Sequence, residues 1–265
     1  MTEKAYAKLN IILEVKGKRT DGYHELKSLM IPLDYYDTLE FSISDKTEVI
    51  SNIAIENNSI LKTIHLMKKR FNIQENVSVK LNKVIPIGSG LGGASADISA
   101  TIRGVNQLFR LNLDIETQES LANELGSDTL FTLHNQRAII EGRGDRIKLL
   151  ETPSKLRSIL LILPGIELLT KDVFHHYKSN TNHDFEQAYD SFLNGRFDSI
   201  FNDLLTPALN ANSGFKALYE KLIEKGLKVY MSGSGSTLYL INPTEKTIKL
   251  LNSFENLTCI LTQEH

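Results

Sequence analysis

Pro86-Ile-Gly-Ser-Gly-Leu-Gly-Gly-Ala-Ser-Ala-Asp97 is the stretch of this chain that decides its fold. Four of the six residues 88–93 are glycines, which leaves the backbone of a loop bare of side chains. Residues 77–84 alternate as a strand does, and residues 94–109 carry apolar side chains at helical spacing. A glycine-rich turn that leads into a helix N-terminus directs unpaired N–H groups and the positive end of the helix dipole at one place. Phosphate is the ligand that suits such a place best.

The glycine pattern is compatible with more than one kind of loop. Gly88, Gly90 and Gly93 satisfy the G-x-G-x-x-G spacing of a dinucleotide-binding Rossmann unit. No parallel βα pattern surrounds them, however, and Asp114, the acidic residue at about the right distance, leads into a helix where a second strand is required. A Walker loop is excluded because no Gly-Lys-Ser/Thr follows the glycines. A tight turn whose glycines only permit positive φ is the remaining alternative.

The composition is that of an ordinary globular chain. Its 265 residues, 41% of them apolar and 23% charged, can form one large or two modest domains. A net charge of −2 gives no reason to expect a nucleic acid or a membrane as partner. The single cysteine, Cys259, lies in an apolar run and is predicted to be a core residue. With no signal-like segment and no internal disulfide, we expect a cytoplasmic protein.

The order of predicted elements divides the chain near residue 150. The first half is rich in strands, among them separate strands at residues 26–34 and 38–44, and ends in a hairpin at 138–150. The second half has a buried strand at 158–163, then helices, then further strands. We therefore predict two α+β lobes, residues 1–150 and 151–265.

A second glycine string lies between two predicted strands of the C-terminal lobe. Small residues in this position let another backbone or a ligand come close. Alone it is an ordinary turn, but beside the first loop it would complete a phosphate site. Its central residues are Gly233, Ser234 and Gly235.

Lys8 and Asp128 are candidates for phosphoryl transfer. In strand periodicity Tyr6, Lys8 and Asn10 share one face, which is either a solvated sheet surface or the lining of a cleft. Asp128 is either the N-cap of a turn or the carboxylate that deprotonates an alcohol. Transfer of a phosphoryl group also needs a cation, such as Lys8, to offset its charge. Sequence spacing does not bring the two residues together.

The turn Asp21-Gly-Tyr-His-Glu25 combines an aromatic ring with an imidazole. It is either an ordinary surface turn or a corner that recognises a base, with the tyrosine stacking on a flat ring and the histidine bonding its edge. His175 and His176 lack metal-ligand spacing with any acidic or cysteine partner, so no metal site is assigned.

Together these pieces resemble the GHMP kinase superfamily, which includes galactokinase, homoserine kinase and mevalonate kinase. The Asp-Gly-Tyr-His-Glu turn resembles more narrowly the branch whose substrate is 4-diphosphocytidyl-2-C-methyl-D-erythritol. The resemblance implies a two-lobed α+β fold, with a ribosomal-S5-like N-terminal lobe and a ferredoxin-like C-terminal lobe. The segments that carry it are, in order, Ala7-Lys-Leu-Asn10, Arg19-Thr-Asp-Gly-Tyr-His-Glu25, residues 86–96, Leu125-Gly-Ser-Asp-Thr-Leu-Phe131, Gly142-Arg-Gly144, Phe201-Asn-Asp-Leu204 and Met231-Ser-Gly-Ser-Gly235.

The same resemblance implies an activity: ATP-dependent phosphorylation of the substrate's 2-hydroxyl in non-mevalonate isoprenoid precursor synthesis. The sequence leaves open whether the protein is a monomer or a homodimer. Asp128 would be the base, and Lys8 would assist it and stabilise developing charge. Mg²⁺ would neutralise the ATP phosphates, with no protein ligand assigned to it. The implied substrate contacts are Asn10 near the transferred group and Tyr23, His24 and Phe174 on the cytosine. The implied ATP-binding residues are Pro86, Ile87, Gly88, Ser89, Gly90, Leu91, Gly92, Gly93, Ala94, Ser95 and Ala96.

The chain departs from the family pattern at two motifs, and it is somewhat short for the family, mostly between residues 44 and 60 and after 165. Leu130 stands where the family usually has proline, and Asp97-Ile-Ser99 replaces a run that is normally small and alanine-rich. Two alternatives accompany the first hypothesis. One is a GHMP kinase for another small alcohol such as mevalonate or homoserine, and the other is a non-catalytic relative that binds nucleotide.

Overall fold

The computed structural model describes residues 1–20, 22–151, 154–178 and 183–265. The chain forms two compact units, each built from several segments. Unit 1 comprises Met1–Ala7, Tyr35–Ile87 and Gly92–Asn135, and unit 2 comprises Lys8–Asp34, Gly88–Leu91 and Gln136–His265. Strands β1 (Thr2–Lys18) and β2 (His24–Ser44) each run from one unit into the other. The lobe boundary near residue 150 stays a prediction.

Unit 1 combines a small sheet with helices. Its strands β3 (Glu48–Ser51) and β4 (Asn76–Asn82) pair in parallel, and the end of β2 pairs antiparallel with β4. Side chains from the sheet and the helices form one apolar core. The helices are α1 (Ser59–Arg70), α2 (Gly93–Leu108), α3 (Ile115–Leu125) and α4 (Thr129–His134).

Helix α2 confirms the helical spacing predicted for residues 94–109. Ile98, Ile102 and Val105 are buried in the core of unit 1, as that spacing requires. The helix also lies very close to β2, because a Cβ added at Gly104 would be 2.5 Å from the Phe41 ring. Packing on β2 therefore fixes the helix whose first residues end the glycine-rich loop.

Unit 2 contains a hairpin and an antiparallel sheet. The beginning of β2 pairs with β5 (Ala138–Gly142), which forms the predicted hairpin with β6 (Arg146–Leu149). The remaining strands are β7 (Ile159–Leu163), β8 (Tyr230–Met231), β9 (Leu238–Ile241) and β10 (Thr258–Thr262). They are ordered β10–β7–β9–β8, with antiparallel pairing throughout. The helices are α5 (Thr170–His175), α6 (Phe185–Leu193), α7 (Leu205–Ala211), α8 (Ser213–Glu224) and α9 (Glu245–Asn252).

The mixed α+β architecture with its two sheets confirms the predicted fold class. Two details of the prediction are wrong. Residues 26–34 and 38–44 belong to one continuous strand, β2, in which the intervening Asp37 is buried and paired with Lys83. Helix α7 was not predicted; its Pro207 lies in the first turn, where a missing N–H removes no helical hydrogen bond.

The second half of β1 belongs to the core of unit 2. Leu13 and Val15 pack with apolar side chains of the β7–β10 sheet. The Leu13 N–H donates to the Phe201 carbonyl at 3.0 Å, and the Asp203 N–H donates to the Leu13 carbonyl at 2.9 Å. The Val15 N–H donates to the Asp203 carboxylate, also at 2.9 Å. The N-terminal strand is thus hydrogen-bonded to a segment about 190 residues later.

A buried ion pair links separate segments of the chain within unit 2. Arg137 is 5% exposed and Glu264 is 2% exposed. Two guanidinium nitrogens, Nε and Nη2, donate to the carboxylate at 2.9 and 2.6 Å, and the Leu156 N–H donates to it at 2.9 Å. Arg137 Nη2 also donates to the Ser154 carbonyl at 3.1 Å. Both charges therefore have partners on more than one segment of the chain.

Candidate active site

The two glycine strings approach each other backbone to backbone within unit 2. A Cβ added at Gly90 would lie 2.5 Å from the Ser232 carbonyl oxygen and 2.7 Å from that of Gly235. The Ser232 hydroxyl donates to the Gly90 carbonyl at 3.0 Å, and the Thr237 N–H donates to the Ser89 carbonyl at 3.1 Å. Only glycine permits this approach at position 90, where φ is +79°. The structure thus brings the second string against the first.

Lys8 lies beside both strings. It is 4% exposed, so its interpretation as part of a solvated sheet face is wrong. Its backbone N–H donates to the Leu91 carbonyl at 2.9 Å. The Nζ atom donates to Asn10 Oδ1 at 2.5 Å and would lie 3.2 Å from a Cβ added at Gly233. The ammonium group therefore faces the second glycine string.

Asn10 holds Lys8 in this position. Its amide nitrogen donates to the Ser28 hydroxyl at 2.8 Å, and Ser28 in turn donates to the Ile12 carbonyl at 2.7 Å. The Asn10 backbone N–H donates to the Ser232 hydroxyl at 3.3 Å. Contact of Asn10 with a substrate stays a prediction. Sequence reasoning missed Ser28, because a serine within a strand carries no distinguishing signal.

Asn202 also holds the second glycine string in place. Its amide nitrogen donates to the carbonyls of Met231 and Gly233 at 2.9 and 2.8 Å. Its side-chain oxygen accepts the Leu204 N–H at 2.9 Å. This asparagine comes from the Phe201-Asn-Asp-Leu204 segment that the sequence singled out, and its contacts explain why an amide is placed there.

In unit 1 the first glycine string ends at the start of α2. Gly92 is the N-cap residue, with φ +71°, and no side chain caps the helix. The first N–H groups of a helix lack helical partners, so those beginning at Gly93 and Ala94 can bind an anion. The Thr132 hydroxyl donates to the Ser95 carbonyl at 3.0 Å and fastens this turn to α4.

Asp128 directly precedes α4, as predicted, but its side chain makes no capping hydrogen bond. The capping interpretation of this carboxylate is therefore wrong, and its catalytic role stays a prediction. Leu130, the departure from the family's proline, is buried in the first turn of α4. Proline is also tolerated in a first turn, so either residue suits this backbone.

His24 and Phe174 meet in unit 2. Their rings stack with centroids 4.6 Å apart and an interplanar angle of 21°. Tyr177, which sequence reasoning missed, meets His24 edge-on at 5.7 Å and donates its hydroxyl to the Val15 carbonyl at 2.9 Å. Burial, with the Lys18 ammonium nearby, lowers the pKa of His24. The imidazole is therefore neutral at pH 7, with one donor and one acceptor.

Tyr23 differs from its neighbour His24. It is 59% exposed, and the guanidinium of Arg143 lies 5.9 Å from its ring centroid. The structure therefore places Tyr23 at the surface beside the β5–β6 hairpin. Asp21, the first residue of this turn motif, lies outside the described residues. Recognition of cytosine by Tyr23 stays a prediction.

A buried ion cluster in unit 1 was also missed by sequence reasoning. Lys83 Nζ donates to Asp37 at 2.5 Å and to Asp97 at 2.7 Å. The side chains of all three residues are almost wholly buried. Burial raises the pKa of the Asp97 carboxyl to about 7, and the Lys83 ammonium opposes that shift.

An Asp97→Asn variant is expected to change the pH dependence of stability. The folded carboxyl of Asp97 holds its proton more tightly than an unfolded one, whose pKa is 3.8. The contribution of Asp97 to wild-type stability should therefore fall as pH rises between these two pKa values, by up to about 1.4 kcal/mol per pH unit. Asparagine does not titrate, so the variant lacks this contribution. Urea unfolding across that pH range measures both slopes, and equal slopes would contradict the prediction.

Neither a metal cluster nor a membrane span is found in the described ranges. There, no three His, Cys, Asp or Glu side chains are grouped so that they could hold a metal ion. None of the helices described there has the length and apolar character that crossing a bilayer requires.

Known proteins match nearly the whole chain. A 4-diphosphocytidyl-2-C-methyl-D-erythritol kinase of Thermodesulfovibrio yellowstonii is 36% identical over 278 residues, covering 99% of this chain and 97% of the relative. The enzyme of the same name from Thermoanaerobacter pseudethanolicus is 35% identical over 96% of this chain and 91% of its own. The chain belongs to the 4-diphosphocytidyl-2-C-methyl-D-erythritol kinase family. Residues 58–138 match the GHMP kinases N terminal domain, the larger family predicted from the glycine-rich loop.

Solved structures agree with this family. A crystal structure of 4-(cytidine 5'-diphospho)-2C-methyl-D-erythritol kinase superposes with a TM-score of 0.83 at 26% identity, and each chain is covered completely. Mevalonate kinase of Methanococcus jannaschii superposes with a TM-score of 0.70 at 14% identity, a likeness of fold alone. The predicted GHMP kinase fold is therefore confirmed.

Proposed function

We propose that this protein transfers the γ-phosphoryl group of ATP to the 2-hydroxyl of 4-diphosphocytidyl-2-C-methyl-D-erythritol. The observation that carries the proposal is the buried Lys8 ammonium beside two glycine strings packed backbone to backbone. A buried ammonium is costly unless hydrogen bonds or an opposite charge compensate it, and a phosphate beside the glycine strings would add such a charge. Family membership supports the kinase reaction, and the names of the relatives support the cytidylated substrate.

Each site residue has a role in this reaction. The bare amides at the start of α2 bind ATP phosphates, with Gly92 allowing the close approach. Lys8, oriented by Asn10, offsets charge on the transferred group. Asp128 accepts the proton of the 2-hydroxyl. At the same time the hydroxyl oxygen bonds to the γ-phosphorus, the bond between that phosphorus and the β-phosphate oxygen breaks, and ADP leaves. Mg²⁺ bound with ATP would supply further charge neutralisation.

His24 and Phe174 supply a cytosine site. The neutral imidazole can donate or accept a hydrogen bond at the edge of the base, while the base stacks on the face of Phe174. Because the His24 ring itself stacks on Phe174 with centroids 4.6 Å apart, cytosine can reach that face only if the imidazole moves aside.

The function is tested by ADP release from ATP across a panel of alcohols: the cytidylated substrate, mevalonate and homoserine. We expect ADP only with the cytidylated alcohol. Turnover with mevalonate or homoserine instead would favour the second hypothesis. Folded protein that binds ATP but turns over none of these alcohols would favour a non-catalytic relative.

A His24→Ala variant is expected to raise the KM for the cytidylated substrate about tenfold, because removing one partner of a buried hydrogen bond costs about 1–3 kcal/mol. The KM for ATP should not change. His175→Ala is a matched control, since His175 is an exposed histidine on the same helix as Phe174. Steady-state kinetics with each substrate varied in turn measures both values. An unchanged KM for the cytidylated substrate would remove His24 from the cytosine site.

A further inference from the structure

The buried ion cluster in unit 1 lies at both ends of the glycine-rich loop in sequence. Lys83 precedes Pro86 by three residues, and Asp97 directly follows Ala96. The ammonium of Lys83 joins these two ends, because it donates at 2.7 Å to Asp97 on α2. Its other acceptor, at 2.5 Å, is Asp37 on β2.

Asp37 secures the segment that leads into the loop. Its second carboxylate oxygen accepts the backbone N–H groups of Val84 and Ile85, the latter at 2.8 Å. Three consecutive residues before the loop are thus bonded to one buried carboxylate on a core strand. This carboxylate keeps two donors even if Lys83 is absent.

The ammonium also lies close to the first residue of α2. A Cβ added at Gly93 would be 3.0 Å from Lys83 Nζ and 2.9 Å from the Ile85 side chain. Any movement of Lys83 or Ile85 therefore bears directly on the turn whose amides are the phosphate donors. Within unit 1, the cluster is placed to set the position of that turn.

Stability does not account for such a cluster. Buried ion pairs are often replaced by apolar residues without loss of stability, because desolvation offsets their attraction. Moreover, Asp97 Oδ1 is buried and has no hydrogen-bond partner. Its other oxygen accepts from Lys83, so the contact to the ammonium is the bond that ties α2 to the cluster.

We propose that Lys83 is a positioning residue that, by bridging Asp37 and Asp97, fixes both ends of the phosphate-binding loop and thereby sets the affinity for ATP. This inference rests on the proposed function. It assigns a role to three residues that the proposed reaction leaves without one. A purely structural cluster would change stability without changing affinity for nucleotide.

The test uses the full chain with the double substitution Lys83→Met and Asp97→Leu. Lys83→Met alone leaves two buried carboxylates facing each other, which is expected to unfold the protein at lower temperature. The double variant removes one of those charges and leaves Asp37 its two backbone donors. We therefore expect it to fold.

Isothermal titration with ATP measures affinity, and hydrogen exchange of the loop amides without nucleotide measures how firmly the loop is held. We expect the Kd for ATP to rise about tenfold, or about 1.4 kcal/mol, and the loop amides to exchange faster. The control is Glu3→Gln, which breaks an ion pair to Arg103, also on α2 but not attached to the loop ends. Its affinity and loop exchange should match the wild type.

Two outcomes separate this inference from the proposed function. If the wild type and the folded double variant bind ATP within twofold of each other and exchange alike, the inference is overturned while the proposed function stands. If the wild type binds no ATP, the proposed function is overturned, and the role of Lys83 in affinity is overturned with it.

Discussion

Turnover should fall about 100- to 10,000-fold when Asp128 is replaced by asparagine, the range that loss of a general base produces. Asparagine keeps the shape of the side chain but cannot accept the proton of the 2-hydroxyl. The fold should survive, because the Asp128 side chain does not cap α4. ADP release with saturating substrates measures the loss, and thermal unfolding measures the fold.

Asp114→Asn is the matched control. Asp114 also precedes a helix, but its carboxylate does cap, accepting the Thr117 N–H of α3 at 2.9 Å. This variant should keep its turnover and lose only a little stability, so the two aspartates should show opposite behaviour. Near-normal turnover of Asp128→Asn would remove this residue from the chemistry.

The free energy of unfolding is expected to fall by about 3–5 kcal/mol in an Arg137→Leu variant, because breaking a buried ion pair leaves an uncompensated charge. That charge is Glu264, which retains the Leu156 N–H as a donor but loses two guanidinium bonds. Urea unfolding at neutral pH measures the change.

The double variant Arg137→Leu, Glu264→Leu separates charge burial from packing. It removes both ions and should recover most of the lost stability, because apolar residues of similar volume can replace a buried pair. A double variant no more stable than Arg137→Leu would show that shape, and not the unpaired carboxylate, explains the loss.

The parts of the site that local sequence determines were predictable. Glycines followed by a helical apolar pattern identify the loop and α2, because both depend on neighbouring residues. The spacing of Tyr6, Lys8 and Asn10 on one strand face was likewise readable, and Lys8 and Asn10 are both buried beside the glycine strings. Family resemblance then suggested the chemistry that spacing alone left open.

The rest depends on partners that are distant in sequence. Asp37 is paired inside the core with Lys83, 46 positions later, and no local pattern indicates that pairing. Ser28 matters only because Asn10 reaches it across the strands. Tyr177 contacts His24 through folding of the chain, not through any local pattern. Such contacts carry no periodicity, so one sequence does not reveal them.

The passage of β1 into unit 2 makes that unit dependent on an early part of the polypeptide. A fragment beginning at residue 151 would lack Leu13 and Val15, and with them the strand that bonds to Phe201 and Asp203. Its apolar face would be left open to solvent and to other chains. If the gene were split between its halves, the two fragments would therefore have to be co-expressed. They would have to associate before the core of unit 2 could form.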